Sequence, residues 1–350
     1  MNREKPRINA ARLQASIEEL AEFGANKQGG LDRTTFTEAE LAAREWLKKQ
    51  LHKEMLHVKV DAAANIWGKR DGTDAVLSSI AFGSHLDTVP NGGRYDGALG
   101  VLLALEVIRV FNEADISTRH PLELVSFSAE EPNPFGISTF GSRAVTGRLK
   151  QKDLQGVKNT EGKFLVDALT LAGGDPKCFE EAVRSPSELS AFLEVHIEQG
   201  KRLLDLGIPV GIVTAITGIY REEVLIDGEA NHAGTTLMDD RIDALAAASE
   251  LILAIEALCR NHPSQEVVGT VGKINVTPNA PNIIPEEAGF TVEIRGKTSE
   301  EIDEVLSEWQ KQLYVMELKR KVKINRSILL DQAPSPMDSN IIETMQNQAS

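Results

Sequence analysis

Residues 79–97 read Ser79-Ile80-Ala81-Phe82-Gly83-Ser84-His85-Leu86-Asp87-Thr88-Val89-Pro90-Asn91-Gly92-Gly93-Arg94-Tyr95-Asp96-Gly97. A short apolar run of strand length passes into a glycine-rich loop, and the loop into an apolar helical pattern over 97–111. Strand, loop and helix in that order are the repeating unit of an α/β fold. The loop collects one histidine and two aspartates at the end of the strand, which is how a metal site is built. His85 offers an imidazole nitrogen, Asp87 stands two residues on where it can orient that ring, and Asp96 offers a carboxylate able to bridge two ions.

Working outward, Leu13, Ile17, Leu20 and Phe23 recur at helical spacing, and Thr37 with Glu40 forms a capping box ahead of a second helix through Leu41, Trp46, Leu47 and Leu51. Strand-like runs follow at 57–60, 65–68, 79–83 and 122–127. These elements predict an α/β domain with a largely buried sheet. A second set begins near Thr214, with strands at 220–227, 267–276 and 289–295 and helices at 240–260 and 300–319, the last capped by Thr298 and Glu301. It reads as a compact two-layer α+β module, with 321–329 as the strand leading back out and a further amphipathic helix from Ser339.

At 350 residues the chain has room for two domains, and 41% hydrophobic with 26% charged residues is ordinary for a globular protein. Thirty-eight basic against fifty-two acidic residues give a net charge of −14, which argues against nucleic acid as a partner and for a small molecule. The apolar stretch 97–110 is interrupted by Glu106 and Arg109 and falls short of a bilayer span, so no membrane segment is predicted. Residues 1–6 lack the apolar core of a secretion signal, and the expected location is the cytoplasm. Cys178 and Cys259 lie outside any CxxC spacing and support neither a disulfide framework nor a thiolate zinc site.

Two further segments follow strand-like runs and carry ligand-type side chains. One is Ser126-Phe127-Ser128-Ala129-Glu130-Glu131-Pro132, and the other is Glu194-Val195-His196-Ile197-Glu198-Gln199-Gly200 after Phe192. Any one of these histidines alone would more often be structural, and Glu-Glu alone is usually a solvated charge pair. Their joint occurrence at strand ends is what points to a metal centre, because loops at strand ends converge on one crevice while the sheet holds them rigid. Imidazoles with carboxylates suit a pair of zinc ions, with manganese or cobalt as substitutes. Adjacent glutamates on irregular backbone point in different directions, so one can bind metal while the other takes a proton from an activated water and hands it to a leaving nitrogen. His52, His57, His120 and His262 lack such neighbours and are assigned no role.

With these residues in hand the chain resembles the di-zinc amidohydrolase and metallopeptidase superfamily of aminoacylases and carboxypeptidases. Within it, the resemblance is to the branch of N-carbamoyl-L-amino acid amidohydrolases, allantoate amidohydrolases and β-ureidopropionases. The motifs that carry it are GSHLDTVPNGGRYDG from Gly83, AEEPNPF from Ala129, TFGSRA from Thr139, VHIEQG from Val195 and NHAGTT from Asn231. The resemblance implies a mixed-sheet catalytic domain of zinc-peptidase type, residues 1–213 and 330–350, with an inserted two-layer lid and dimerisation domain at 214–329. It implies His85, Asp96, Glu131 and His196 as ligands of two divalent ions per subunit, Asp96 bridging, with Zn2+ first and Mn2+, Co2+ or Ni2+ as substitutes. Glu130 would be the general acid/base and Asp87 the support of His85, with both counted in the catalytic set.

By motif, substrate contacts would come from Gln199, His232, Asn279 and Arg295, with Asn282 competing with Asn279. Arg295 offers a planar fork for an α-carboxylate, although a strand-end salt bridge is the plainer reading of that residue. His232 would stabilise an oxyanion, in the partner's active site of a homodimer. Family members carry a final metal-binding histidine in a Gly-His-Asp-like motif beyond the lid, whereas no histidine follows His262 here. The expectation is therefore a C-terminally truncated chain whose second metal position lacks one ligand. The expected reaction is hydrolysis of a ureido C–N bond of an N-carbamoyl-L-amino acid. Allantoate amidohydrolase and β-ureidopropionase stand as alternatives, a plain aminoacylase or dipeptidase as another, and an inactive dimerising or binding protein as the alternative of another class.

Overall fold

The computed structural model describes residues 6–349, and the chain divides into two compact units that meet at Arg202 and Leu203. In the first unit, α1 (Ala10–Ala21) and α2 (Glu38–Lys53) precede β1 (His57–Val60), β2 (Ile66–Arg70) and β3 (Ser79–His85). Then come α3 (Ala98–Glu113), β4 (Leu122–Phe127), α4 (Phe140–Val145), α5 (Leu165–Leu171) and β5 (Leu189–Leu193). The sheet runs β1-β2-β4-β3-β5. β1, β2 and β4 are antiparallel neighbours, while β3 is parallel to both β4 and β5. The mixed α/β sheet expected from the sequence is the one found.

The parallel trio matters most for function, because β3, β4 and β5 all end at the same edge of the sheet. His85 is the last residue of β3, Glu130 and Glu131 follow β4, and His196 follows β5, so three loops open on one side. Gly83 permits the close approach of β3 to β4: a Cβ there would lie 1.9 Å from the Val125 carbonyl oxygen. The charges that interrupt the apolar pattern of α3 have structural partners. Buried Glu106 accepts from Arg12 Nε and Nη2, both at 2.8 Å, and from the Asn9 amide, which ties α1 to α3. Arg109 donates to Ser16 and Gln50. Leu47, Leu51, Leu102, Leu105 and Ile108 fill the layer between these helices and the sheet.

The capping box expected at α2 forms only in part. Thr37 Oγ1 accepts from the Glu40 amide at 3.4 Å, but the Glu40 side chain turns inward to Arg44. At the start of α8 (Ser299–Arg320) the box is complete: Thr298 Oγ1 accepts from the Glu301 amide and Glu301 Oε2 from the Thr298 amide, both at 3.2 Å.

The second unit is built on a four-stranded antiparallel sheet. The short helix α6 (Arg202–Leu206) stands at the boundary, followed by β6 (Ala215–Ile216), β7 (Gly218–Asp227), β8 (Asn231–His232), α7 (Ala244–Arg260), β9 (Val268–Thr277), β10 (Ile283–Ile284) and β11 (Glu287–Gly296). After α8 come β12 (Lys323–Gln332), β13 (Ser335–Pro336) and α9 (Ser339–Ala349). The large sheet runs β12-β7-β11-β9, with two short ladders, β10-β8 and β13-β6, beside it. The stretch read as leading out of the module instead extends it, since β12 pairs with β7 through Gln332.

Alternation along β7 and β11 puts Val224, Ile226, Phe290, Val292 and Ile294 against Leu251, Ile255 and Trp309 of α7 and α8. Glu222 breaks that pattern, because it is fully buried on the same face. Trp309 Nε1 donates to it at 2.6 Å, Arg326 Nε at 2.8 Å and the Tyr220 hydroxyl at 2.9 Å, so the charge is paired and hydrogen-bonded. Arg221, Glu223, Glu293 and Arg295 project from the opposite face. Among the described residues no helix is long and apolar enough to cross a membrane.

Candidate metal centre

His85 is brought into place by β3 and held from behind. Its Nδ1 lies 3.0 Å from the Asp87 carbonyl oxygen, which can only accept, so Nδ1 carries a proton and Nε2 is the atom left for an ion. Gly97, the residue ahead of α3, leaves room for that ring: with φ +63° and a Cβ that would lie 2.3 Å from Nε2, no side chain fits.

Asp87 does more than its sequence position implies. Its carboxylate Oδ1 is 3.6 Å from His85 Nδ1, an electrostatic neighbour rather than the ring's hydrogen-bond partner. The carboxylate instead accepts the Glu130 amide on Oδ1 at 3.2 Å and the Glu131 amide on Oδ2 at 3.1 Å. The β3 loop is thereby joined to the glutamate pair. The other side of that turn is fixed by backbone bonds from Thr139, Phe140 and Gly141 to the carbonyls of Glu130, Ala129 and Ser128.

After β5, His196 repeats the arrangement of His85. Its Nδ1 donates to the Ile197 carbonyl at 3.0 Å, and its Nε2 lies 3.2 Å from Asp96 Oδ1. Gln199 donates its amide to the other oxygen, Asp96 Oδ2, at 2.9 Å. Asp96 Oδ1 is buried and has no hydrogen-bond partner.

One nitrogen or oxygen from each of His85, Asp96 and His196 lies within 4.8 Å of the others, and the same holds for His85, Glu130 and Glu131. His85 Nε2 is 3.6 Å from Glu130 Oε2. Asp96 Oδ1 and His196 Nε2 face each other as two atoms that one cation could bind together. Their separation is close to the ~3.4 Å expected between two ligands about 2.1 Å from a tetrahedral ion. The donor set, two imidazoles and three carboxylates with no thiolate, therefore fits the divalent ions that the sequence led us to expect.

Electrostatics point the same way. Burial works against the His85 imidazolium, but Asp87 and Glu130 outweigh it and hold its pKa up, to about 9. Burial also works to raise the Asp87 carboxyl, yet His85, the Glu131 amide and the Thr35 hydroxyl keep it below the usual carboxylate range. Glu130 is pushed up, first by burial and then by the neighbouring Asp87 and Glu194 carboxylates. Glu131 rises to about 7, chiefly through burial, with Glu130 and Asp96 adding to it. Carboxylates crowded enough to resist ionisation are what a bound cation relieves.

The remaining sequence candidates lie in the second unit. His232, in β8, is exposed, and its Nδ1 accepts the Gly234 amide at 3.0 Å, which places the ring proton on Nε2. Asn279 is exposed with φ +56° in the loop between β9 and β10. Arg295 forms the strand-end salt bridge: its Nε donates to Glu293 Oε1 at 2.7 Å, while Glu293 Oε2 takes Arg221 from β7, directly opposite in register. Two groups beside the centre have no signature in the sequence. Thr35 donates to Asp87 Oδ2 at 2.9 Å, and Ser84 donates to Glu194. Nothing local marks either one.

Residues 81–350 match the family described as Peptidase family M20/M25/M40. The chain is 38% identical over 327 residues to an N-carbamoyl-L-amino acid amidohydrolase of Geobacillus stearothermophilus, covering 93% of this chain and 79% of that protein. It is 39% identical over 280 residues to an allantoate amidohydrolase of Bacillus subtilis (strain 168), covering 80% of this chain and 67% of that protein. A crystal structure of a hydantoinase/carbamoylase family amidase from Burkholderia ambifaria superposes with a TM-score of 0.85 at 33% identity, over 98% of this chain and 82% of that one. With the cluster at the ends of β3, β4 and β5, these likenesses show that the chain is a metal-dependent hydrolase and belongs to peptidase family M20/M25/M40.

Proposed function

We propose that this hydrolase cleaves the ureido C–N bond of N-carbamoyl-L-amino acids, with water converting the carbamoyl group to carbon dioxide and ammonia and freeing the L-amino acid. The observation that carries the substrate class is the 38% identity, across 93% of this chain, to the Geobacillus stearothermophilus N-carbamoyl-L-amino acid amidohydrolase. The ions, with Zn2+ as first choice, would be held by His85, Asp96, Glu131 and His196, and when bound they supply Lewis acidity and make water a stronger acid.

Glu130 takes the proton of the attacking water and returns it to the leaving nitrogen. Burial raises this carboxyl above its ordinary value, which makes it a stronger proton acceptor. Asp87 aims Glu130 by holding the amides of the pair. His232, with its proton on Nε2, donates to the developing oxyanion. Arg295 keeps an outward fork for the substrate carboxylate, because only its Nε is engaged by Glu293. Asn279 and Gln199 add amide donors to the same substrate. In this reading the second unit serves as lid and dimer interface of a homodimer.

The 39% identity to the Bacillus subtilis allantoate amidohydrolase supports a second reading, in which allantoate offers the same ureido group and carboxylate. An ammonia-release assay over N-carbamoyl-L-amino acids, allantoate and ureidopropionate separates them. Turnover of carbamoyl-amino acids supports the first reading, turnover of allantoate alone replaces it with the second, and turnover of N-acetyl-amino acids or dipeptides without ammonia contradicts both.

A further inference from the structure

The segment 31–35 runs beside the metal-binding loop, and its bonds there are dense. Leu31 and Gly92 exchange both backbone hydrogen bonds at 2.9 Å, and the Thr88 amide donates to the Arg33 carbonyl at 2.9 Å. The Arg33 amide returns a bond to Thr88 Oγ1 at 3.1 Å, and its buried guanidinium donates to the carbonyls of Leu86 and Leu20 at 2.7 and 2.8 Å. These bonds fix where the segment lies relative to residues 86–92. Two residues beyond Arg33, the buried Thr35 hydroxyl meets Asp87 Oδ2.

Asp87 is only 1% exposed, so bulk water cannot replace a bond lost from its carboxylate. Its other hydrogen bonds come from the Glu130 and Glu131 amides, which belong to the very turn it must hold. Thr35 is the one hydroxyl donor in this set, and it reaches the carboxylate from a separate segment. We propose that Thr35 is a positioning residue of the metal centre: its hydroxyl fixes the rotation of the Asp87 carboxylate, which in turn sets the Glu130–Glu131 turn at the separation from His85 that an ion requires. Orientation of ligands by their outer partners commonly governs metal affinity.

This rests on the metal-centre reading and is independent of the substrate. The test compares Thr35→Val, which keeps the shape and removes the donor, with Thr35→Ser, which keeps the donor. Zinc dissociation constants of the full-length variants are measured by competition with a chromogenic chelator, with thermal melts alongside. The expected result is zinc binding weakened ~10-fold by valine and restored to near wild type by serine. If the valine variant does not fold, Thr35→Ala is compared with serine in the same way. Valine binding zinc as tightly as wild type, or serine weakening it as much as valine, would overturn the proposal while leaving the metal centre standing. A wild-type chain that takes up no zinc would overturn both.

Discussion

Asp96 Oδ1, a buried oxygen without a hydrogen-bond partner, and His196 Nε2 face each other at 3.2 Å. Each is oriented from outside, Asp96 by Gln199 and His196 by the Ile197 carbonyl. Replacing His196 by Ala or Asp96 by Asn is expected to weaken divalent-ion binding on the order of 100-fold or more, read by equilibrium dialysis with metal analysis.

Gly97 tests the back of the same site. A methyl group at that position would occupy the His85 ring, which is 2% exposed and has nowhere to move, on a backbone at φ +63°. Gly97→Ala is expected to cost about 1–3 kcal/mol of stability, read by urea denaturation, and to weaken ion binding by at least ~10-fold in a folded sample.

Glu130→Gln keeps the size of the side chain and removes its ability to accept a proton, the role proposed for it. The expected loss in kcat is about 10²–10⁴-fold, while bound ions are retained in metal analysis. Equal losses of turnover and of bound metal would instead make Glu130 a ligand.

In the second unit, Glu222 is the charge to remove. Without its carboxylate, Trp309 Nε1 and the Tyr220 hydroxyl lose their buried acceptor and Arg326 its counter-ion. Glu222→Ala is expected to destabilise by about 3–5 kcal/mol in urea denaturation.

A pH effect follows from Glu293. Burial raises its carboxyl, but Arg221 and Arg295 outweigh that and hold it below its ordinary value of 4.5. A carboxylate depressed on folding contributes stability that is present above the unfolded pKa and is lost as pH falls through the folded one. The effect is therefore confined to acid below about pH 4.5, and solvent screening keeps it modest because the group is partly exposed. Stability of Glu293→Gln measured against pH should show a shallower acid slope than wild type.

Much of this was legible where sequence periodicity and chain geometry coincide. The strands 57–60 and 122–127 lie where alternation and β-branching put them, and helix 240–260 begins only at Ala244 because Asp243 caps it. Helices α4 and α5 escaped notice because six or seven residues are too few to display a helical period. The cluster His85, Asp96, Glu130, Glu131 and His196 could be anticipated because its members follow strands that proved to be parallel neighbours. Thr35 could not, since the fold alone pairs it with a residue fifty-two positions away. The division of labour within Asp87, carbonyl to His85 and carboxylate to the glutamate amides, likewise depends on backbone direction, which the residue type does not record.

The central claim is that ions held at the ends of β3, β4 and β5 drive hydrolysis of a ureido group. Its most direct test is ammonia release from an N-carbamoyl-L-amino acid by the chelator-treated protein, before and after zinc or manganese is restored. The expected result is no release without metal and recovery once either ion is added. Ammonia release that survives complete metal removal, or none after reloading, would contradict it.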